Sequence, residues 1–275
     1  MSKPRVLVVG LGEVGGAVYE VAKDSGKFEL YGYDIDPSKR INSLEDVPKQ
    51  IDYMHIAIPY NDRFVENVKQ YVSTIHPRGI IVHSTVAPGT TRRLYEELAM
   101  PVAFSPVRGK HPKIKEHLYF WPKWVTALPG DFISEAKAHL ESMNLKVRVS
   151  NEEPEALELA KLWETVYRAI MIAAWQEMHR IARSYGVGLK IIAEFTAEVH
   201  SVLHDRPVYY PDFIGGHCLI PNTQILVKTN PSELLKFVLE SNEKRLDELK
   251  DPQVKKEIEE LRELFLNLTR KDYYV

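Results

Sequence analysis

Over the first 150 residues, short runs of β-branched and aliphatic side chains alternate with longer stretches whose apolar positions recur every three or four residues. Residues 5–9, 29–33, 52–58, 79–83, 101–104, 125–128 and 146–149 read as strands, and the spacing over 14–24 and 63–75 predicts helices. This alternation is the pattern of a doubly wound parallel sheet. The texture changes after a loop at 150–154. Leu159, Trp163, Val166, Ile170, Ala173, Met178 and Ile181 recur at helical spacing. They predict one helix of about 30 residues ending near Gly186, since helices commonly stop at glycine. Residues 190–203 and 232–268 also read as helical, with a Pro- and Gly-rich loop at 206–222 between them. The expected architecture is an α/β domain over residues 1–150 and an all-helical domain over 151–275. The last charged stretch, EKRLDELKDPQVKKEIEELRELF, reads as a helix with a solvated face.

The first strand runs into VLVVGLGEVGGAVYEVAK, which carries Gly10-x-Gly12-x-x-Gly15 between a strand and a helix. The first glycine permits a tight turn, the second lets a pyrophosphate approach the backbone, and the third allows close helix packing. The phosphates then meet the positive end of the helix. Asp34 ends the second strand about 20 residues on, where the dinucleotide fingerprint of a Rossmann sheet places a carboxylate for the ribose hydroxyls. That carboxylate favours NAD over NADP, while Arg40 nearby is suited to a 2′-phosphate and pulls the other way. The expected NAD contacts are Gly10, Leu11, Gly12, Glu13, Val14 and Gly15 in the loop. Asp34, Ile35 and Arg40 follow the second strand, and Ile58, Pro59, Ser84 and Thr85 stand at later strand ends. Glu13 puts a negative charge in the loop, to be turned to solvent or toward a substrate or partner domain.

Composition narrows the setting. Of 275 residues, 44% are hydrophobic and 27% charged, and the formal net charge is −2, which gives no pull toward nucleic acid or anionic membrane. The single cysteine excludes an intrachain disulfide framework. With no signal peptide or membrane span in the sequence, a cytoplasmic protein is expected.

That cysteine, Cys218, lies in PDFIGGHCLIP beside His217 and two glycines. A thiol so placed can be a nucleophile, a metal ligand or a small apolar side chain. As a nucleophile it traps an aldehyde as a thiohemiacetal, with His217 a candidate to activate it. Lys161 stands in an apolar stretch, ALELAKLW. There it either snorkels to solvent or stabilises alkoxide charge during hydride transfer. His200, His204, His217 and Cys218 are residue types that bind zinc, but their spacing matches no zinc signature, and no metal is expected.

GLGEVG, HSTVAPGTT, ELAKLWETVYRAIMIAAWQEM and PDFIGGHCLIP, in that order, resemble the nucleotide-sugar dehydrogenases: the UDP-glucose, GDP-mannose and UDP-N-acetylmannosamine dehydrogenase family. The resemblance implies oxidation of a sugar alcohol by NAD, twice, through an aldehyde held by Cys218, with Lys161 and Thr85 in the site. It also implies a homodimer through the long helix at 155–185. Three positions depart from the family pattern. Thr165 stands for an asparagine, Asn222 for an aspartate, and Val107 for a glutamate linked to thioester hydrolysis. The family's second nucleotide-binding domain would follow the helices, so a shortened core with an altered site is expected. Two other readings fit the sequence. One is a 3-hydroxy-acid dehydrogenase of the 6-phosphogluconate type, using Lys161 in a single oxidation, with Arg108, Lys110 and His111 holding a carboxylate or phosphate. The other is a non-catalytic NAD-binding sensor or regulatory partner.

Overall fold

The computed structural model describes residues 3–268. The chain divides into two compact units, one ending at Lys161 and the other beginning at Leu162. The first unit contains β1 (Arg5–Val9), α1 (Glu13–Ser25), β2 (Glu29–Tyr33), β3 (Tyr53–Ile56), α2 (Phe64–Ile75) and β4 (Gly79–Val82). It continues with α3 (Thr90–Leu98), β5 (Val102–Phe104), α4 (Ile114–Phe120), β6 (Lys123–Leu128), α5 (Phe132–Ser142) and β7 (Val147–Val149). The opening turns of the long helix α6 (Pro154–Ser184) complete it.

The strands form one sheet in the order β2-β1-β3-β4-β5-β6-β7. All neighbours are parallel except β5 and β6. β4, and β1 beyond Arg5, are apolar and buried because both faces are covered. Val6 and Val8 join a core with α1 and α5, while Leu7 and Val9 point to the opposite core with α2. From β1 the chain goes to β2 on one side and later returns to β3 on the other. Such a reversal of strand order opens a crevice at the carboxyl ends of the strands, where ligands of α/β sheets bind. Because β6 is antiparallel to β5, the segment joining them stays at that same carboxyl edge.

Several expectations needed correction. Strands expected at 52–58 and 79–83 are shorter, since their last residues peel away into loops of the carboxyl edge. The helices α3, α4 and α5 were not anticipated. Packing also assigns the opening turns of α6 to the sheet unit, with Leu157 in the sheet core.

The second unit holds the rest of α6, then α7 (Lys190–Leu203), α8 (Leu219–Thr229), α9 (Glu233–Glu248) and α10 (Pro252–Leu268). At 31 residues α6 is about 46 Å long. Leu162 and Val166 pack with Leu226 and Leu235, and Ala169 and Ala173 with Ile214 and Val238. The expected loop at 206–222 ends early, because α8 already begins at Leu219. The helical stretch expected at 232–268 is broken in two. Asp251 accepts the Gln253 N–H (2.8 Å) around Pro252, a helix start with proline in its first turn. Among the described residues no helix is long and apolar enough to cross a membrane.

Candidate active site

The glycine loop has the spacing its residues require. Gly10 has φ +86°, and a Cβ there would stand 2.6 Å from the Ala57 carbonyl oxygen. A Cβ on Gly15 would lie 1.7 Å from the Gly10 oxygen, whereas one on Gly12 would meet nothing within 4 Å. Two glycines are thus demanded by packing, and the third faces open space. Gly12 is also the N-cap of α1 with no side-chain cap, so the first-turn N–H groups have no carbonyl partner in their own helix. An open, electropositive helix end bordered by glycine is what a dinucleotide pyrophosphate needs.

Asp34 is buried and organises the neighbouring edge. Its carboxylate accepts the Leu11 N–H (2.6 Å) and the Asp36 N–H (2.8 Å). Each oxygen keeps lone pairs for ribose hydroxyls. Arg40 donates to the Asp34 and Ile35 carbonyls (2.9 and 3.2 Å) and lies over the Tyr33 ring. Ile35 is exposed beside it. Ser84 donates to the Ile58 carbonyl (2.6 Å), which ties the ends of β3 and β4 and brings Ile58, Pro59, Ser84 and Thr85 to one edge. These groups fit NAD, with Arg40 placed where a 2′-phosphate would be felt. Glu13 is exposed, as expected, and pairs at the surface with His111 (3.1 Å) in the segment after β5.

That segment does not form the anion cup considered for Arg108, Lys110 and His111. Arg108 donates to the Pro122 carbonyl (2.6 Å) and covers the Trp121 ring, while His111 is turned to Glu13. Val107 is buried in the sheet core, so no acidic group stands at that position.

Lys161 is half-buried on α6, three residues after Glu158. It lies close to Lys123, whose buried amine donates to the Ser105 and Pro106 carbonyls (2.6 and 3.2 Å) at the end of β5. Burial, then the charges of Lys161 and Arg108, hold the Lys123 amine well below the usual lysine range. The Ser105 carbonyl also takes the His83 Nδ1–H (2.8 Å). His83 Nε2 contacts His55 Nδ1 (2.7 Å), and His55 Nε2 contacts His139 Nε2 (2.8 Å). One carbonyl therefore dictates every tautomer. His83 must carry its proton on Nδ1, His55 donates to His83 Nε2, and His139 donates to His55. Burial keeps all three imidazoles below their ordinary range, His139 at about 4.

In the second unit Cys218 is the N-cap residue of α8, and both it and His217 are exposed. The two altered positions meet each other: Asn222 donates through Nδ2 to Thr165 Oγ1 (2.8 Å), both residues buried. They form one interaction between α6 and α8, not two separate losses. Arg168, one turn beyond Thr165, covers the Tyr209 ring with its Nε buried and lacking a hydrogen-bond partner. His200 and His204 meet edge to face at the end of α7. Among the described residues no group of three or more His, Cys, Asp or Glu side chains gathers as a metal site would need.

Residues 155–244 match the model of the UDP-glucose/GDP-mannose dehydrogenase family, central domain. The match runs from the start of α6 into α9. A UDP-N-acetyl-D-mannosamine dehydrogenase of Methanocaldococcus jannaschii is 23% identical, over 87% of this chain and 65% of its own length. The chain therefore spans less than two thirds of that relative. Among solved structures, a UDP-D-ManNAc dehydrogenase of Pyrococcus horikoshii superposes with TM-score 0.76 at 21% identity, covering 88% of this chain and 68% of its own. A Mycobacterium tuberculosis 3-hydroxyisobutyrate dehydrogenase superposes with TM-score 0.63 at 16% identity, covering 94% and 99%. These likenesses establish a Rossmann-type fold.

The structure brings together side chains that carry no recognisable motif in the sequence. Glu158, Lys123 and the three histidines were not singled out. The signal for Glu158 was present, since it is a carboxylate at a core-facing position of an apolar stretch. The histidines, spread over 84 residues, carried none.

Proposed function

We propose that the chain is an NAD-dependent dehydrogenase that oxidises the alcohol of a nucleotide sugar. The observation that carries this reading is the glycine loop: Gly10 and Gly15 are sterically required, and Gly12 is open beside Asp34. Bound NAD supplies the hydride acceptor. Leu11 and Asp34 hold the adenosine side, and the strand ends at Ile58–Pro59 and Ser84–Thr85 border the nicotinamide side. Lys161 offers positive charge to the oxygen that becomes alkoxide as hydride leaves, and lowers the barrier electrostatically. Cys218, with His217 next to it, is the candidate nucleophile for an aldehyde product. With Val107 and Asn222 in place of acidic groups, the second oxidation is the weaker of the two steps.

The exposed apolar side chains Leu159, Trp163 and Tyr167 along α6 support self-association through this helix, and a homodimer is proposed. A lone exposed thiol is kept reduced in cytoplasm, the proposed location. The substrate is a small molecule, with no nucleic acid or membrane partner.

The 3-hydroxy-acid reading stays as the second one, because the hydroxyisobutyrate dehydrogenase covers almost the whole chain at matching size. NADH release separates the two. UDP-N-acetyl-D-mannosamine and 3-hydroxyisobutyrate are offered in turn, and NADH is counted per substrate consumed. The first reading expects turnover of the nucleotide sugar, with Cys218→Ser reducing any second NADH. Turnover of 3-hydroxyisobutyrate alone, indifferent to Cys218→Ser, favours the second. NAD binding with no NADH from either contradicts both.

A further inference from the structure

We infer that Glu158 is a positioning residue for Lys161, a carboxylate that fastens the helix carrying the lysine to the loop carrying Thr85. The inference rests on the reading that Lys161 serves the hydride-transfer step. α3 opens after Gly89, which has φ +89° and no side chain to cap the helix. The cap comes from α6 instead. Glu158, fully buried, accepts the Gly89 N–H (2.6 Å) on one oxygen, and the Thr91 N–H (2.8 Å) and hydroxyl (2.7 Å) on the other. A carboxylate at a helix N-terminus also meets the favourable end of the macrodipole.

A second fastening joins the same two helices. Arg92 of α3 donates to Glu155 (2.7 and 3.1 Å) and also pairs with Glu153. Together with Leu157 in the sheet core, these bonds fix both the rotation and the axial position of the first turns of α6. Side chains three apart on a helix are neighbours on its surface, so holding Glu158 sets the direction in which Lys161 leaves the helix. The loop it grips is HSTVAPGTT, whose Ser84 and Thr85 stand at the strand ends.

Packing alone does not explain this choice. An apolar residue would bury the same helix face without the cost of taking a carboxyl from water. Burial does push the Glu158 carboxyl up, against the three hydrogen bonds that pull it down. What the carboxylate adds is direction.

Competitive acylation of lysines, read by mass spectrometry, tests this on the full chain. In NAD-free protein, Glu158→Ala is expected to raise Lys161 labelling several-fold, with Lys115 and Lys137 unchanged as internal references. Glu158→Gln, which can keep the Thr91 bonds, should give a smaller rise. NAD affinity should stay within about threefold in both variants, since the glycine loop is untouched. Unchanged Lys161 labelling in both variants would reduce Glu158 to a cap and overturn the inference. An equal rise at all three lysines, showing general loosening, would overturn it too. The underlying dehydrogenase reading fails separately, if NAD does not slow Lys161 labelling in the wild type.

Discussion

In the first unit the candidate cofactor edge is drawn by backbone: two glycines that tolerate no Cβ, one that faces open space, and a helix end without a cap. In the second unit chemistry depends on side chains from distant parts of the chain. Asn222 reaches Thr165, Gln176 donates to the Asp212 carbonyl (2.8 Å), and buried Arg245 reaches His179 (2.9 Å). A backbone site is set by local spacing and survives changes in neighbouring side chains. A side-chain site rests on pairs, as Asn222 does on Thr165. The contrast teaches where the geometry is demanded by backbone sterics and where it rests on side-chain pairs.

The sharpest way to break that contrast is at the glycines. Gly15→Val should abolish folding of the first unit, because even a Cβ collides with the Gly10 oxygen, and soluble yield with circular dichroism reads this directly. Gly12→Ala should leave the melting temperature within a degree or two and weaken NAD about tenfold or more. Equal effects of the two substitutions would show that the loop is not shaped around a ligand.

Lys161→Ala comes next in size. Loss of one electrostatic stabiliser of a developing oxyanion typically lowers kcat about 10²–10³-fold. NAD affinity should hold, so single-turnover NADH formation is the measurement. A loss of NAD binding would instead make Lys161 part of the cofactor edge.

The histidine chain predicts a pH dependence confined to the first unit. A folded-state pKa held below the ordinary 6.5 gives stability that is present above that value and lost as pH falls. For His139, at about 4 in the folded chain, unfolding becomes easier by about 3 kcal/mol as pH drops from 6.5 to 4. His139→Leu should flatten the dependence of urea midpoint on pH in that window. An unchanged slope would mean that the imidazoles take up protons in the folded state.

The smallest effect belongs to the Thr165–Asn222 pair. Asn222→Ala removes one buried hydrogen bond and should cost about 1 kcal/mol in chemical denaturation. A much larger loss would mean that the second unit relies on this bond as the first relies on its glycines.

Legibility followed the same division. The strands, the glycine loop and Asp34 were readable because period, glycine and strand-end carboxylate are local signals. The length of α6 was readable from its long apolar repeat. By contrast α3 begins Thr-Thr-Arg-Arg and α8 contains Pro221 among β-branched residues, compositions that do not announce helices. Their ends are fixed by tertiary contacts, as Glu158 caps α3. The Asp251–Pro252 break was marked in the sequence by a capping residue before proline, and the charge pattern around it drew the eye away. The histidine chain lay beyond sequence reading, since His55, His83 and His139 meet only when β3, β4 and α5 are packed.

The most direct test of the central claim, that the Gly10–Gly15 loop and Asp34 form an NAD site, is calorimetric titration of NAD into wild type and Asp34→Ala. The account predicts one site per chain in the wild type and about tenfold or greater weakening in the variant, the scale of losing a hydrogen bond to a charged group. Lys161→Ala and Cys218→Ser should titrate like wild type. No binding heat with the wild type, or equal affinity in Asp34→Ala, would contradict it.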